Sequence, residues 1–76
     1  MTRIPILKFK KVEKVLLKLG FKPIRQKGSH VFYRHPDGRT TTLPKHPGRD
    51  LSRPLLHEIL REIEVPQENF LKILHE

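Results

Sequence analysis

The sequence predicts an α+β domain in the order α-β-β-β-α, closed by a further short helix. Three observations carry that prediction. Apolar residues recur at helical spacing towards both ends of the chain. Between them lie three runs suited to strands. Gly28-Ser29 and Pro36-Asp37-Gly38, both strong turn signals, separate those runs.

Taken in order, residues 1–7 read as a loose lead-in, because Pro5 removes an early helix donor. From about Lys8 the pattern turns helical. Val12, Val15, Leu16 and Leu19 fall at i, i+3, i+4 and i+7, and Gly20 stands where a left-handed cap is needed. Residues 21–27 form the first strand, with Pro23 confining it to an edge. Residues 30–34, His-Val-Phe-Tyr-Arg, have the strongest strand composition in the chain. Asp37-Gly38 suits a hairpin turn, and residues 40–43 make the third strand.

Residues 44–50 have loop composition. Ser52 is a good N-cap, with Pro54 where a starting helix tolerates it. Leu56, Ile59, Leu60 and Ile63 then give a second apolar stripe, which Val65-Pro66 ends. Phe70, Ile73 and Leu74 mark the final short helix. Each amphipathic helix must bury its stripe, and a three-stranded sheet needs cover on one face. An antiparallel meander with both helices on one face meets both needs. That is the architecture of a double-stranded-RNA-binding domain.

At 76 residues the chain, 1–76, reads as a single domain with a small core. It has no cysteine, hence no disulfide and no thiolate metal site. No apolar run is long enough to span a bilayer, and the N-terminus does not read as a signal peptide. A cytoplasmic protein that needs no membrane, monomeric on its own, is expected. The formal charge is +8 and the pI near 10.3. Residues 1–49 hold thirteen of the sixteen Lys and Arg against only Glu13 and Asp37. Such a field attracts phosphate polymers, although a charge run can also be a solvated surface.

The chemistry centres on Arg25-Gln26-Lys27-Gly28-Ser29-His30-Val31-Phe32-Tyr33-Arg34. Histidine alone has an unperturbed charge change between pH 5 and 8. Here one stands among Arg25, Lys27 and Arg34, beside a glycine that lets a phosphodiester approach the backbone. Read singly, such a histidine is more often a hydrogen-bonding rim residue than a catalyst. Yet there is no Cys, no nearby carboxylate pair and no phosphate loop, so any chemistry has to involve a histidine.

Of the other histidines, His35, His57 and His75 read as surface residues. His46, between Lys45 and Pro47, reads as a loop residue able to close over a substrate. No histidine pair has the spacing of a helical zinc site, and no metal or other cofactor is expected. Ser29 reads as a turn residue donating to a backbone or phosphate oxygen, since no nucleophile elbow surrounds it. Alternation puts His30, Phe32 and Arg34 on one face of the middle strand and Val31, Tyr33 and His35 on the other. Either face can be the core.

Five segments together resemble the HicA family of bacterial and archaeal toxins. They are Leu19-Gly20-Phe21, the basic Gly28-Ser29-His30 block, Arg34-His35-Pro36-Asp37-Gly38-Arg39, Leu43-Pro44-Lys45-His46, and Leu55-Leu56-His57-Glu58-Ile59-Leu60. The likeness runs from about Val12 to Phe70. Val31 departs from it, standing where many relatives look polar. The resemblance implies a double-stranded-RNA-binding-like fold and ribosome-independent cleavage of mRNA. It matches the family's single essential histidine to His30, and it implies a HicB-type antitoxin as partner.

The mechanism it implies is metal-independent. The RNA 2′-hydroxyl attacks the adjacent phosphorus, with His30 as general base or acid. Arg25, Lys27 and Lys45 stabilise the developing charge. Gly28, Ser29, Arg34 and His46 complete the RNA-binding set. Two other classes stand beside this reading: an RNA-binding module without chemistry, and a protein-interaction domain whose positive face docks an acidic partner.

Overall fold

The computed structural model of the chain describes residues 3–76. Helix α1 (Phe9–Leu19) buries Phe9, Val12, Val15 and Leu16 and leaves its lysines outside. It stops at Gly20, whose φ of 102° is left-handed. The amide of Phe21 then returns to the Leu16 carbonyl at 3.0 Å. A side chain at Gly20 would also meet the His35 ring, since a Cβ there would lie 3.0 Å from Nε2.

Three antiparallel strands follow in the order β2-β3-β4: β2 (Lys22–Lys27), β3 (His30–Arg34) and β4 (Thr40–Pro44). β2 lies on the edge, as Pro23 requires, and its register slips between Pro23 and Arg25. Gln26 Nε2 donates to the Gly28 carbonyl at 2.9 Å and closes the β2–β3 turn. In the second turn Asp37 bonds both the backbone N–H and the Nε of Arg39. Arg39 then lies over the Phe21 ring and donates to the Ile63 carbonyl. The Pro36–Arg39 hairpin thereby ties the sheet to the end of the second helix.

Helix α2 (Arg53–Ile63) starts at Ser52, whose Oγ accepts from the Leu55 amide at 3.3 Å. Its buried stripe is Leu56, Ile59, Leu60 and Ile63. It ends at Glu64, the one described non-glycine residue with positive φ. Helix α3 (Gln67–Leu74) buries Phe70 and packs against α1. The core lies between these helices and one face of the sheet, formed by Val31, Tyr33 and Leu43. The α+β fold with a three-stranded antiparallel sheet is thus the one expected.

Two expectations are corrected. The lead-in is not loose where it is described. Ile4 is 1 % exposed, Leu7 is buried, and Arg53 Nε donates to the Ile4 carbonyl at 2.9 Å. Likewise the loop expected over 44–50 gives residues to two strands. Pro44 completes β4, and Asp50 starts β5 (Asp50–Leu51), which pairs antiparallel with β1 (Leu7–Lys8). Two-residue strands leave no periodicity to read, so only the long-range pairing Leu7↔Leu51 reveals them. Of the lead-in, Met1 and Thr2 lie outside the described residues.

Candidate active site

Directly opposed residues in an antiparallel ladder share a face. The β2–β3 register pairs Lys22 with Arg34, Arg25 with Phe32, and Lys27 with His30. The β3–β4 register adds Thr40, Thr42 and Pro44 in the same rows. Burial decides which face this is. Val31 and Tyr33 are buried, whereas His30 and Arg34 are exposed and Phe32 is half-buried. The open face therefore carries Lys22, Arg25, Lys27, His30, Phe32 and Arg34.

Its electrostatics are one-sided. No position on that face is acidic. Among the described residues, no ion pair engages Lys22, Arg25, Lys27 or Arg34. The nearest structural role is that of Arg25, whose guanidinium carbon lies 5.4 Å from the Phe32 ring centre. Four free cations over one aromatic leave a field available to a polyanion. His30 stands at the end of this face, exposed, in the row with Lys27.

The turn feeding His30 uses Gly28 at φ 59°, and open space surrounds the place a side chain would take. Ser29 is half-buried, and its carbonyl accepts from the Lys45 amide. That bond anchors the end of β4 beside His30. The Lys45 side chain, however, lies on α1, with Nζ 5.7 Å from the Phe9 ring centre. The expected set therefore divides. Arg25, Lys27, Gly28, Ser29, His30 and Arg34 gather on the open face and its turn. Lys45 and His46 line a separate groove beside the start of α1.

His35 is not the surface residue the sequence suggested. Its side chain is only 20 % exposed. The ring meets the edge of Phe21 at 5.1 Å between centres, Nε2 lies 3.1 Å from the Leu19 carbonyl, and Nδ1 accepts from the Asp37 amide. The Leu19 carbonyl can only accept, so Nε2 donates to it, and Nδ1 also lies 3.0 Å from the Asp37 carboxylate. His35 is thus a structural pin. Tyr33 is pinned too. Burial, then its hydrogen bond to Glu13 and the charge of that carboxylate, pushes its phenol far above the usual range.

Lys22 and the threonines of β4 were not singled out by sequence. Lys22 lay in the basic run, but its place beside Arg34 depends on the slip in β2. Thr40 and Thr42 carry no charge signal, and only the register brings Thr42 level with Phe32.

The fold and face define a small basic domain that presents a histidine among unpaired cations. The family model for the HicA toxin of bacterial toxin–antitoxin matches residues 9–65 of the chain. The chain belongs to the HicA toxin family, whose members are the toxins of toxin–antitoxin pairs, so an antitoxin partner goes with it. No curated protein matches the sequence. No helix among the described residues is long and apolar enough to cross a membrane.

Proposed function

We propose that this toxin is a metal-independent endoribonuclease that cleaves mRNA in the cytoplasm through His30, and that a HicB-type antitoxin covers its open face. One observation carries the reading: His30 is exposed at the end of a face holding four unpaired cations and no carboxylate. Phosphate binds where the cations are, which delivers the ribose 2′-hydroxyl to the neighbourhood of the imidazole.

In this reading the 2′-oxygen attacks phosphorus and the bond to the 5′-oxygen breaks. A 2′,3′-cyclic phosphate and a 5′-hydroxyl result. His30 takes the proton from the 2′-hydroxyl or gives one to the leaving 5′-oxygen, a contribution of typically 10²–10⁴-fold. Lys27, opposite His30, and Arg25 stabilise the charge on the phosphorane. Phe32 offers a ring on which an unpaired base stacks, worth roughly 1–3 kcal/mol. Tyr33 has no such role, being fully buried.

The test is His30→Ala. Cleavage is expected to fall by about 10²–10⁴-fold and growth inhibition to be lost, while the circular dichroism spectrum stays unchanged. Unaltered toxicity would refute the role of His30. RNA with every 2′-oxygen methylated is expected to resist cutting, and chelation of divalent metal to change nothing. A second reading, an RNA-binding module without chemistry, has one observation behind it: no described residue hydrogen-bonds the His30 ring to orient it. An intact RNA after long incubation with the wild-type chain would select that reading.

A further inference from the structure

The groove that takes Lys45 and His46 is a feature the catalytic reading does not use. It runs between the start of α1 and residues 45–48, with a volume of about 400 Å³. Its floor is apolar: the ring of Phe9, Pro47 and the stems of the lysines. Its rim holds Lys10, Lys11, Lys45 and His46, and none of its lining residues is acidic. Lys8, also at the rim, is taken by Asp50 at 2.8 Å. Among the described residues no ion pair engages Lys10, Lys11 or Lys45.

The groove is separate from the open face but adjoins its last row through the backbone. The last row of the sheet reads Lys27, His30, Pro44 across its three strands. Lys45 follows Pro44, and its amide is bonded to the carbonyl of Ser29, next to His30. A polyanion laid along that row passes His30 and arrives at the groove. Its lining there is apolar, with the Lys45 ammonium over the largely buried Phe9 ring and Lys10 and Lys11 beside it. A strand's phosphates match the unpaired lysines, and the apolar lining beside them suits the edge of a sugar or base.

We infer that this groove is a second RNA subsite, which holds the strand on the far side of His30 from Lys22 and Arg25, with Lys10 and Lys11 as its phosphate contacts. The inference rests on the RNA-cleaving reading of the open face. It makes affinity depend on RNA length. A very short RNA fills the open face alone. One of about ten nucleotides, within the range common for single-strand sites, reaches both.

The experiment uses the full chain and the Lys10→Gln/Lys11→Gln variant. Both residues are exposed on α1, so the fold is expected to survive, checked by circular dichroism. The probes are labelled 2′-O-methyl RNAs, a trinucleotide and one of about ten nucleotides, read by fluorescence anisotropy across a salt series. The variant is expected to bind the longer probe on the order of tenfold more weakly. Its salt slope should be shallower by about 1.4, for two contacts at roughly 0.7 each. The trinucleotide should bind as before.

Equal loss on both probes would reduce the effect to overall charge and overturn the subsite. So would no loss on either. Unchanged RNA binding with weakened binding of the antitoxin would make the groove a protein-docking site and overturn it as well. Failure of the catalytic reading shows elsewhere, as unaltered cleavage by His30→Ala, and leaves the length dependence to be judged alone.

Discussion

The two faces of β3 hold similar residues with opposite fates. One face has His30 and Phe32; the other has Tyr33, with His35 just beyond the strand. His30 is exposed and Phe32 half-buried, among cations that no carboxylate engages. Tyr33 is 0 % exposed and bonded to Glu13, and His35 is held by Leu19, Phe21 and Asp37. A histidine and an aromatic ring are a candidate site on one side and a scaffold on the other. What separates them is one residue of register, because strand side chains alternate. Residue type therefore does not assign function in this strand; the presence of protein partners does.

That contrast breaks most sharply at its ends. His30→Ala should lower cleavage by about 10²–10⁴-fold and leave the melting temperature alone. Tyr33→Ala should do the reverse, costing about 3–5 kcal/mol of stability through a large cavity. Urea unfolding read beside specific activity checks both. If Tyr33→Ala folded normally and lost only activity, the faces would be assigned wrongly.

His35→Ala comes next. Removing it leaves the Leu19 carbonyl and the Asp37 amide without their partner, a penalty of roughly 1–3 kcal/mol. Cleavage per folded molecule should persist. A fully stable, inactive His35→Ala would move this histidine to the catalytic side.

Tyr33 also gives the comparison a pH axis. Its phenol is raised in the folded state by burial first and Glu13 second. A group raised in this way favours folding below its unfolded pKa, and that stability drains away as pH rises beyond it. Tyr33 is the only tyrosine, so phenolate absorbance reports it alone. Above about pH 10, the ordinary tyrosine value, the absorbance should appear only together with loss of the circular dichroism signal. Ionisation of the native protein at the ordinary pH would place Tyr33 in water.

The smallest effect belongs to Lys27→Ala. It should flatten the salt dependence of RNA binding by about one unit of slope and leave stability within about 0.5 kcal/mol. Equal affinity at low and high salt in the wild type would reduce the cations of the open face to solubility.

The element order was legible because helix stripes and turn residues are local signals. Ser52 starts its helix and Gly20 ends its own through contacts within a few residues. The pairing of Leu7 with Leu51 was not legible, being long-range and two residues long. At the site, the basic block around His30 stood out by composition. Its faces did not, because both carry an aromatic and a histidine. Only burial against the helices chose Val31 and Tyr33 as the core side. Lys45 was placed with His30 on the family resemblance. The backbone does pass there, bonded to Ser29, but the side chain turns to Phe9.

The edge strand β2 carries three of the open face's four cations, yet an exposed edge invites a neighbouring chain to add itself to the sheet. Pro23 has no N–H to offer, and the register slip between Pro23 and Arg25 breaks the regularity of the strand. The irregular strand that displays these cations is thus also the one least suited to template a further strand.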